Sequence, residues 1–143
     1  TFFDKERVVH ISMSHPFCEN LRSLLIKNAR SLEYRHHIKG TVITIEGPRF
    51  STKAESHMFR GFGADIINMS TVPEVILARE LGICYQGIAM STDYDCWKED
   101  EEPVTWEMIV TIMNKTADKV KRLILKTLPK IKYINDGCNK EVL

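Results

Sequence analysis

The sequence predicts an α/β protein: a mixed, mainly parallel sheet flanked by helices. Two observations carry that prediction. Short β-branched runs alternate with longer stretches of helical periodicity along the 143 residues. Glycine and proline fall at the joins, where strands must stop and helices must start or end.

The elements follow in order. Residues 14–34, "SHPFCENLRSLLIKNARSLEY", are expected to form a helix. Ser14 is its candidate cap, Pro16 fits a first turn, and Leu21, Leu24, Leu25, Ala29 and Leu32 form one stripe. Residues 40–47, "GTVITIEG", are β-branched between glycines and predict a strand. A helix follows at 50–63, closed by glycine, then a short strand at 64–70. Pro73 and Gly82 bracket a helix at 72–82. The apolar run 83–92, "ICYQGIAMST", predicts a third strand. After the charged stretch 98–103, a long amphipathic helix spans 105–128 and stops at Pro129. Trp106, Ile109, Met113, Ala117, Val120 and Ile124 recur along it every three or four residues. Residues 1–131 are assigned to one part of a domain and 132–143 to a weakly patterned tail.

Composition bounds the function. With 20 basic and 19 acidic residues the net charge is +1, so no basic stripe points to nucleic acid. No apolar run reaches the ~18 residues that cross a bilayer. The four cysteines lack CxxC spacing and are expected to be reduced thiols in a cytosolic protein. The five histidines show no metal-ligand spacing, so no metal is expected. There is no GxGxxG and no Walker loop.

In an open α/β sheet, ligands bind beyond the carboxyl ends of the strands. Three polar clusters stand there: "EGPRFS" (46–51), "NMST" (68–71) and "STDYD" (91–95). Each has a plain alternative. "GPRF" fits a simple turn with Arg49 solvated, and Thr71 fits a helix cap. The Asp93–Asp95 pair fits a magnesium or nucleotide-sugar site, or simply a solvated loop. In an extended chain those two carboxylates share a side and Tyr94 takes the other.

Three longer stretches contain these clusters: "GTVITIEGPRFSTKAES", "GADIINMSTVPEVILARELGICY" and "IAMSTDYDCW". Together they resemble the trimeric purine nucleoside phosphorylase family, and most closely its methylthioadenosine-cleaving branch. The resemblance covers about residues 8–131. The family's phosphate loop and Arg-His pair are not found in this chain, which begins at Thr1. The resemblance therefore implies a carboxyl-terminal half, with the sheet incomplete on its amino-terminal side.

The family cleaves a purine nucleoside with phosphate, through a transition state of oxocarbenium character. The leaving purine departs more easily when its N7 is protonated, which calls for an acid in a dry pocket. The resemblance implies that Asp93 faces N7 and that Asp93 and Asp95 together accept from a 6-amino group. It places Thr92 on the base site, Phe50 as an aromatic wall, and Ser51 beside it. It likewise implies that Met69 lies under the sugar, that Ser70 binds phosphate, and that His10 reaches a neighbouring subunit's 5′ pocket. Asp93 favours a 6-aminopurine, because an ionised carboxylate opposes a 6-oxo acceptor. Inorganic phosphate is the co-substrate and no other cofactor is implied. The resemblance further implies a homotrimer, a role in purine and methionine salvage, a place in the cytoplasm and also the nucleus, and neither nucleic-acid nor membrane partners.

Trp106 departs from the small aliphatic residue of close relatives. Either its ring turns away as a packing variant, or it reshapes the 5′ pocket. Two rival functions also stand: a phosphorylase of other purine nucleosides, and a truncated chain that binds or associates without catalysis.

Overall fold

The computed structural model describes residues 1–3, 8–98, 100 and 105–132. The expected tail at 132–143, but for its first residue, and most of the charged stretch 98–103 lie outside them. The backbone packs as two compact units. Of the described residues, the first comprises those in 1–36, 70–87 and 123–132; the second comprises those in 37–69 and 88–122.

Three segments build the first unit. Helix α1 is Glu19–Ser31, shorter than the 14–34 expected. It starts after Cys18, not at Ser14, because the buried Cys18 donates its backbone N–H to the Tyr85 carbonyl at 2.8 Å. That bond commits the chain before the helix to the segment around Tyr85. Helix α3 is Thr71–Glu80, but Val72 has extended dihedrals, as a residue before proline prefers. The peptide bonds before Pro48 and Pro73 are cis. Helix α4, Trp106–Thr127, contributes its last turn here and runs into a 3₁₀ turn at Leu128–Lys130. Cys18, Ala29, Val75 and Leu123 form the buried apolar core of this unit.

A polar contact completes that packing. Asn28 is 1% exposed, and its amide donates to Thr127 Oγ1 at 3.0 Å. Its Oδ1 accepts from Lys130 Nζ at 2.6 Å, and Thr127 Oγ1 donates to the Leu123 carbonyl at 2.7 Å. Both ends of the buried amide are thereby satisfied.

The second unit holds the sheet. Strands β1 (Val42–Thr44) and β2 (Ile66–Asn68) pair in parallel with Val42 opposite Ile66 and Thr44 opposite Asn68. Helix α2, Lys53–Gly61, connects them as a βαβ unit. It begins at Lys53, and not at Phe50, because Thr52 and Glu55 form a capping box. Beyond the strands, Ile45 N–H donates to the Asn68 carbonyl at 2.9 Å. Residues 105–122 complete this unit with the body of α4, capped where Thr105 Oγ1 accepts from Met108 N–H at 3.3 Å.

The third strand expected at 83–92 does not form among the described residues. The run has a strand's hydropathy but no ladder partner; its Tyr85 carbonyl is taken by Cys18 and its Ile83 N–H by Ala78 at 2.8 Å. The buried stripe of α4 also differs from the one expected. Leu123 and Thr127 are the buried positions, whereas Met113 and Ile124 are exposed.

All three shorter helices end the same way. In α1, Tyr34 N–H bonds the Ala29 carbonyl and Glu33 N–H the Arg30 carbonyl. In α2 the pairs are Ala64 to Phe59 and Gly63 to Arg60; in α3 they are Ile83 to Ala78 and Gly82 to Arg79. These are Schellman closures, each needing a left-handed residue. Gly63 (φ +79°) and Gly82 (φ +64°) fill that position in α2 and α3, but Glu33 (φ +56°) fills it in α1.

Candidate active site at the strand ends

Parallel pairing of β1 and β2 brings their carboxyl ends to one edge, so residues 45–51 and 68–69 leave the sheet side by side. Gly47 lies hard against Met69: a Cβ on Gly47 would come within 2.6 Å of the Met69 sulfur. Thr44 Oγ1 donates to Asn68 Oδ1 at 2.9 Å and fixes the register just before the two chains separate.

The loop after β1 is tied to the start of α2. Arg49 forms a two-pronged ion pair with Glu55, at 2.7 and 2.6 Å. Arg49 is exposed, as the plain alternative has it, and is paired with Glu55 as well. Its hydrogen bonds, then those of the Thr52 N–H and hydroxyl, hold the Glu55 carboxyl down at about 2. Phe50 stands between these anchors and is 57% exposed, with its ring open to a ligand.

The third cluster joins the same edge. Cys96 Sγ donates to the Ser51 carbonyl at 3.4 Å, so "STDYDCW" meets "GPRFS" at Ser51. Desolvation first, then the Asp95 carboxylate, raise the Cys96 thiol, while the buried Ser56 hydroxyl acts the other way. The sulfur stays protonated and can donate. Thr92 Oγ1 donates to Asp93 Oδ1, which leaves the other carboxylate oxygen available to a ligand. Asp93 is exposed and Asp95 half-buried. The dry pocket expected around Asp93 is thus not built by the described residues of this chain.

Phe50, Ser51, Met69, Thr92, Asp93 and Asp95 all belong to the second unit. Ser70 follows Met69 directly, at the cap position of α3, and its hydroxyl makes no capping bond there. Thr71, the cap of the plain alternative, is already the first residue of the helix. Trp106 is the first residue of α4 and is 67% exposed. His10 is exposed and lies in the first unit. Cys18, Cys84 and Cys96 are thiols outside any disulfide. Among the described residues no group of three or more His, Cys, Asp or Glu is placed to hold a metal, and no helix is long and apolar enough to cross a membrane.

The model of the phosphorylase superfamily matches residues 1–129. The chain belongs to that superfamily. Within it, the chain is 56% identical over 124 residues to the S-methyl-5′-thioadenosine phosphorylase of Xenopus tropicalis, covering 87% of this chain and 44% of that protein. It is 53% identical over 131 residues to the Thermofilum pendens enzyme of the same name, covering 92% and 49%. The chain thus spans about half the length of the curated relatives it matches.

Superfamily structures repeat the fold. The methylthioadenosine phosphorylase of Schistosoma mansoni, in complex with adenine, aligns with a TM-score of 0.87 at 35% identity, covering 98% of this chain and 57% of that one. A variant of that species' adenosine/methylthioadenosine phosphorylase, in complex with methylthioadenosine, aligns at 0.79 and 38%, covering 87% and 48%. The phosphorylase resemblance read from the three motifs, and the partial α/β fold it implied, are both met.

Proposed function

We propose that the protein carrying this chain cleaves 5′-methylthioadenosine with phosphate, giving adenine and 5-methylthioribose 1-phosphate, and that this chain supplies its base and sugar sites. The observation that supports the reading is the meeting of the three clusters at one edge of the sheet: Gly47 against Met69, and Cys96 on Ser51. The names of its relatives, and the adenine and methylthioadenosine bound in its structural neighbours, point the same way.

The residues divide the work as follows. Asp93 gives a proton or hydrogen bond to N7 as the glycosidic bond breaks, and Asp95 joins it in accepting from the 6-amino group. Thr92 holds Asp93 by its hydroxyl. Phe50 and Ser51 flank the base, and Met69 supports the sugar through its polarizable sulfur. Ser70 donates to phosphate, which attacks C1′ as electrons pass into the purine ring. Phosphate is the co-substrate and no cofactor is needed. The assembly is a homotrimer, with His10 reaching the neighbouring 5′ pocket. The reaction serves purine and methionine salvage in the cytoplasm and nucleus.

The test is phosphate-dependent release of adenine from methylthioadenosine by the full-length protein, with adenosine and inosine as competitors. Turnover of inosine in preference to methylthioadenosine would overturn the base assignment. The exposure of Phe50 and Asp93 favours a second statement: residues 1–143 alone are a poor or inactive phosphorylase. Turnover by that chain at about 1 per second or more, an ordinary enzymatic rate, would refute it.

A further inference from the structure

We propose that Arg60 is a positioning residue for the Asp93–Asp95 pair, acting through the ring of Trp97. The inference rests on the proposed function and deepens it.

Residues 91–95 carry no regular structure. The backbone bond found nearest them runs from Lys98 N–H to the Asp95 carbonyl at 3.2 Å, and it only closes a turn within the same segment. A loop without a ladder holds its shape through side chains, and this one does so by stacking. The Arg60 guanidinium, in the last turn of α2, sits 3.6 Å from the centre of the Trp97 ring. Trp97 meets Tyr94 edge-on, at 5.9 Å and 87°. Lys98 Nζ stands 4.0 Å over the Tyr94 ring. Cation, ring, ring and cation thus form a chain whose two aromatic members bracket Asp95, while Cys96 pins the same stretch to Ser51.

The geometry gives each member a separate job. Arg60 belongs to a helix whose start is fixed by the capping box, so it is a firm support. The face of an indole attracts a guanidinium well, and the edge of one ring suits the face of another. Trp97 lies against Arg60 and Tyr94 against Trp97, so the loop that carries Asp93 and Asp95 is held from one side; under the proposed function their carboxylates meet the base. Arg60 itself need not touch a substrate. Its effect is on alignment, and misplacing a reacting group by about 1 Å costs roughly a hundredfold in rate.

The test uses the full-length protein with Arg60→Met and Arg60→Lys. In Arg60→Met, kcat on methylthioadenosine should fall by about 10- to 100-fold. The KM for phosphate should hold, and exchange of the Lys98 amide, which is bonded to the Asp95 carbonyl, should quicken while the sheet keeps its protection. Arg60→Lys keeps a cation on the ring and should recover most of the loss. Should Arg60→Met fail to fold, Trp97→Leu is read in its place against Trp97→Phe, which keeps a ring and should retain more rate. Near wild-type kcat in Arg60→Met, or unchanged exchange of the Lys98 amide, would overturn the proposal. If the wild-type protein does not cleave methylthioadenosine, the proposed function fails instead; the exchange measurement then decides the bracket alone, faster exchange supporting it and unchanged exchange overturning it.

Discussion

Cys96 and Ser51 are 45 positions apart, yet the Cys96 thiol donates to the Ser51 carbonyl at 3.4 Å. Through that bond the carboxylate loop and the aromatic loop reach the same edge of the sheet. The candidate site is therefore an assembly of loops, each anchored by a contact of its own.

The carboxylate pair gives the most direct test. Asp93→Asn in the full-length protein should lower the rate on methylthioadenosine by about 100- to 10,000-fold, the range of general acid catalysis. An amide can also donate, so inosine should be rejected less strongly. Asp95→Asn should cost less. Specificity constants of both variants on both nucleosides check the assignment, and a more damaging Asp95→Asn would reverse the two roles.

Acid should loosen the start of α2. Arg49 and Thr52 hold the Glu55 carboxyl at about 2, below its ordinary 4.5. A depressed carboxylate pKa contributes stability that is fully present above 4.5 and fades as pH falls through about 2. Amide exchange at residues 52–56 should rise across that window. Glu55→Gln should remove the pH dependence, and an unchanged titration in that variant would refute the account.

Helix ends offer a paired test of strain. Glu33 holds a left-handed position that Gly63 and Gly82 hold elsewhere. Glu33→Gly should stabilise by about 0.5–1 kcal/mol, since relief of the Cβ clash outweighs the entropy glycine adds to the unfolded chain. Gly63→Ala should destabilise by about 1 kcal/mol. Urea midpoints of the two variants should move in opposite directions.

Gly47 makes room for Met69. Gly47→Ala would place a methyl 2.6 Å from the Met69 sulfur, and the flexible thioether would swing aside. If Met69 supports the sugar, the KM for methylthioadenosine should rise while thermal stability changes little. Parallel losses in stability and activity would point to a backbone effect instead.

Trp106 should govern the 5′ group if its exposed ring lines that pocket. Trp106→Val should then change the preference between methylthioadenosine and adenosine by about 1–3 kcal/mol, the scale of apolar pocket changes. An unchanged ratio of specificity constants would assign the ring to packing.

Much of this was legible in the residues. A glycine-bounded β-branched run located β1, the short apolar run at 64–70 located β2, and the proline and glycine flanks located α3. Hydropathy alone misled at 83–92, because a strand also needs a partner with free backbone groups, and Tyr85 and Ile83 spend theirs elsewhere. The Thr52–Glu55 capping box was readable from its spacing and would have set the start of α2 at once. The contacts of Cys96 with Ser51 and of Arg60 with Trp97 had no such signal. They join distant segments, and nothing in the local pattern around either partner announces the other.

The Asn28 amide reaches Thr127 across 99 positions and Lys130 across 102. Such separation raises the loop-closure entropy that must be overcome before the contact contributes anything, and topologies of this kind fold slowly. During synthesis, α1 emerges long before its polar partners exist. Until the end of α4 leaves the ribosome, the Asn28 side chain lacks both of these partners, so this buried polar contact cannot form before residues 127–130 have been made.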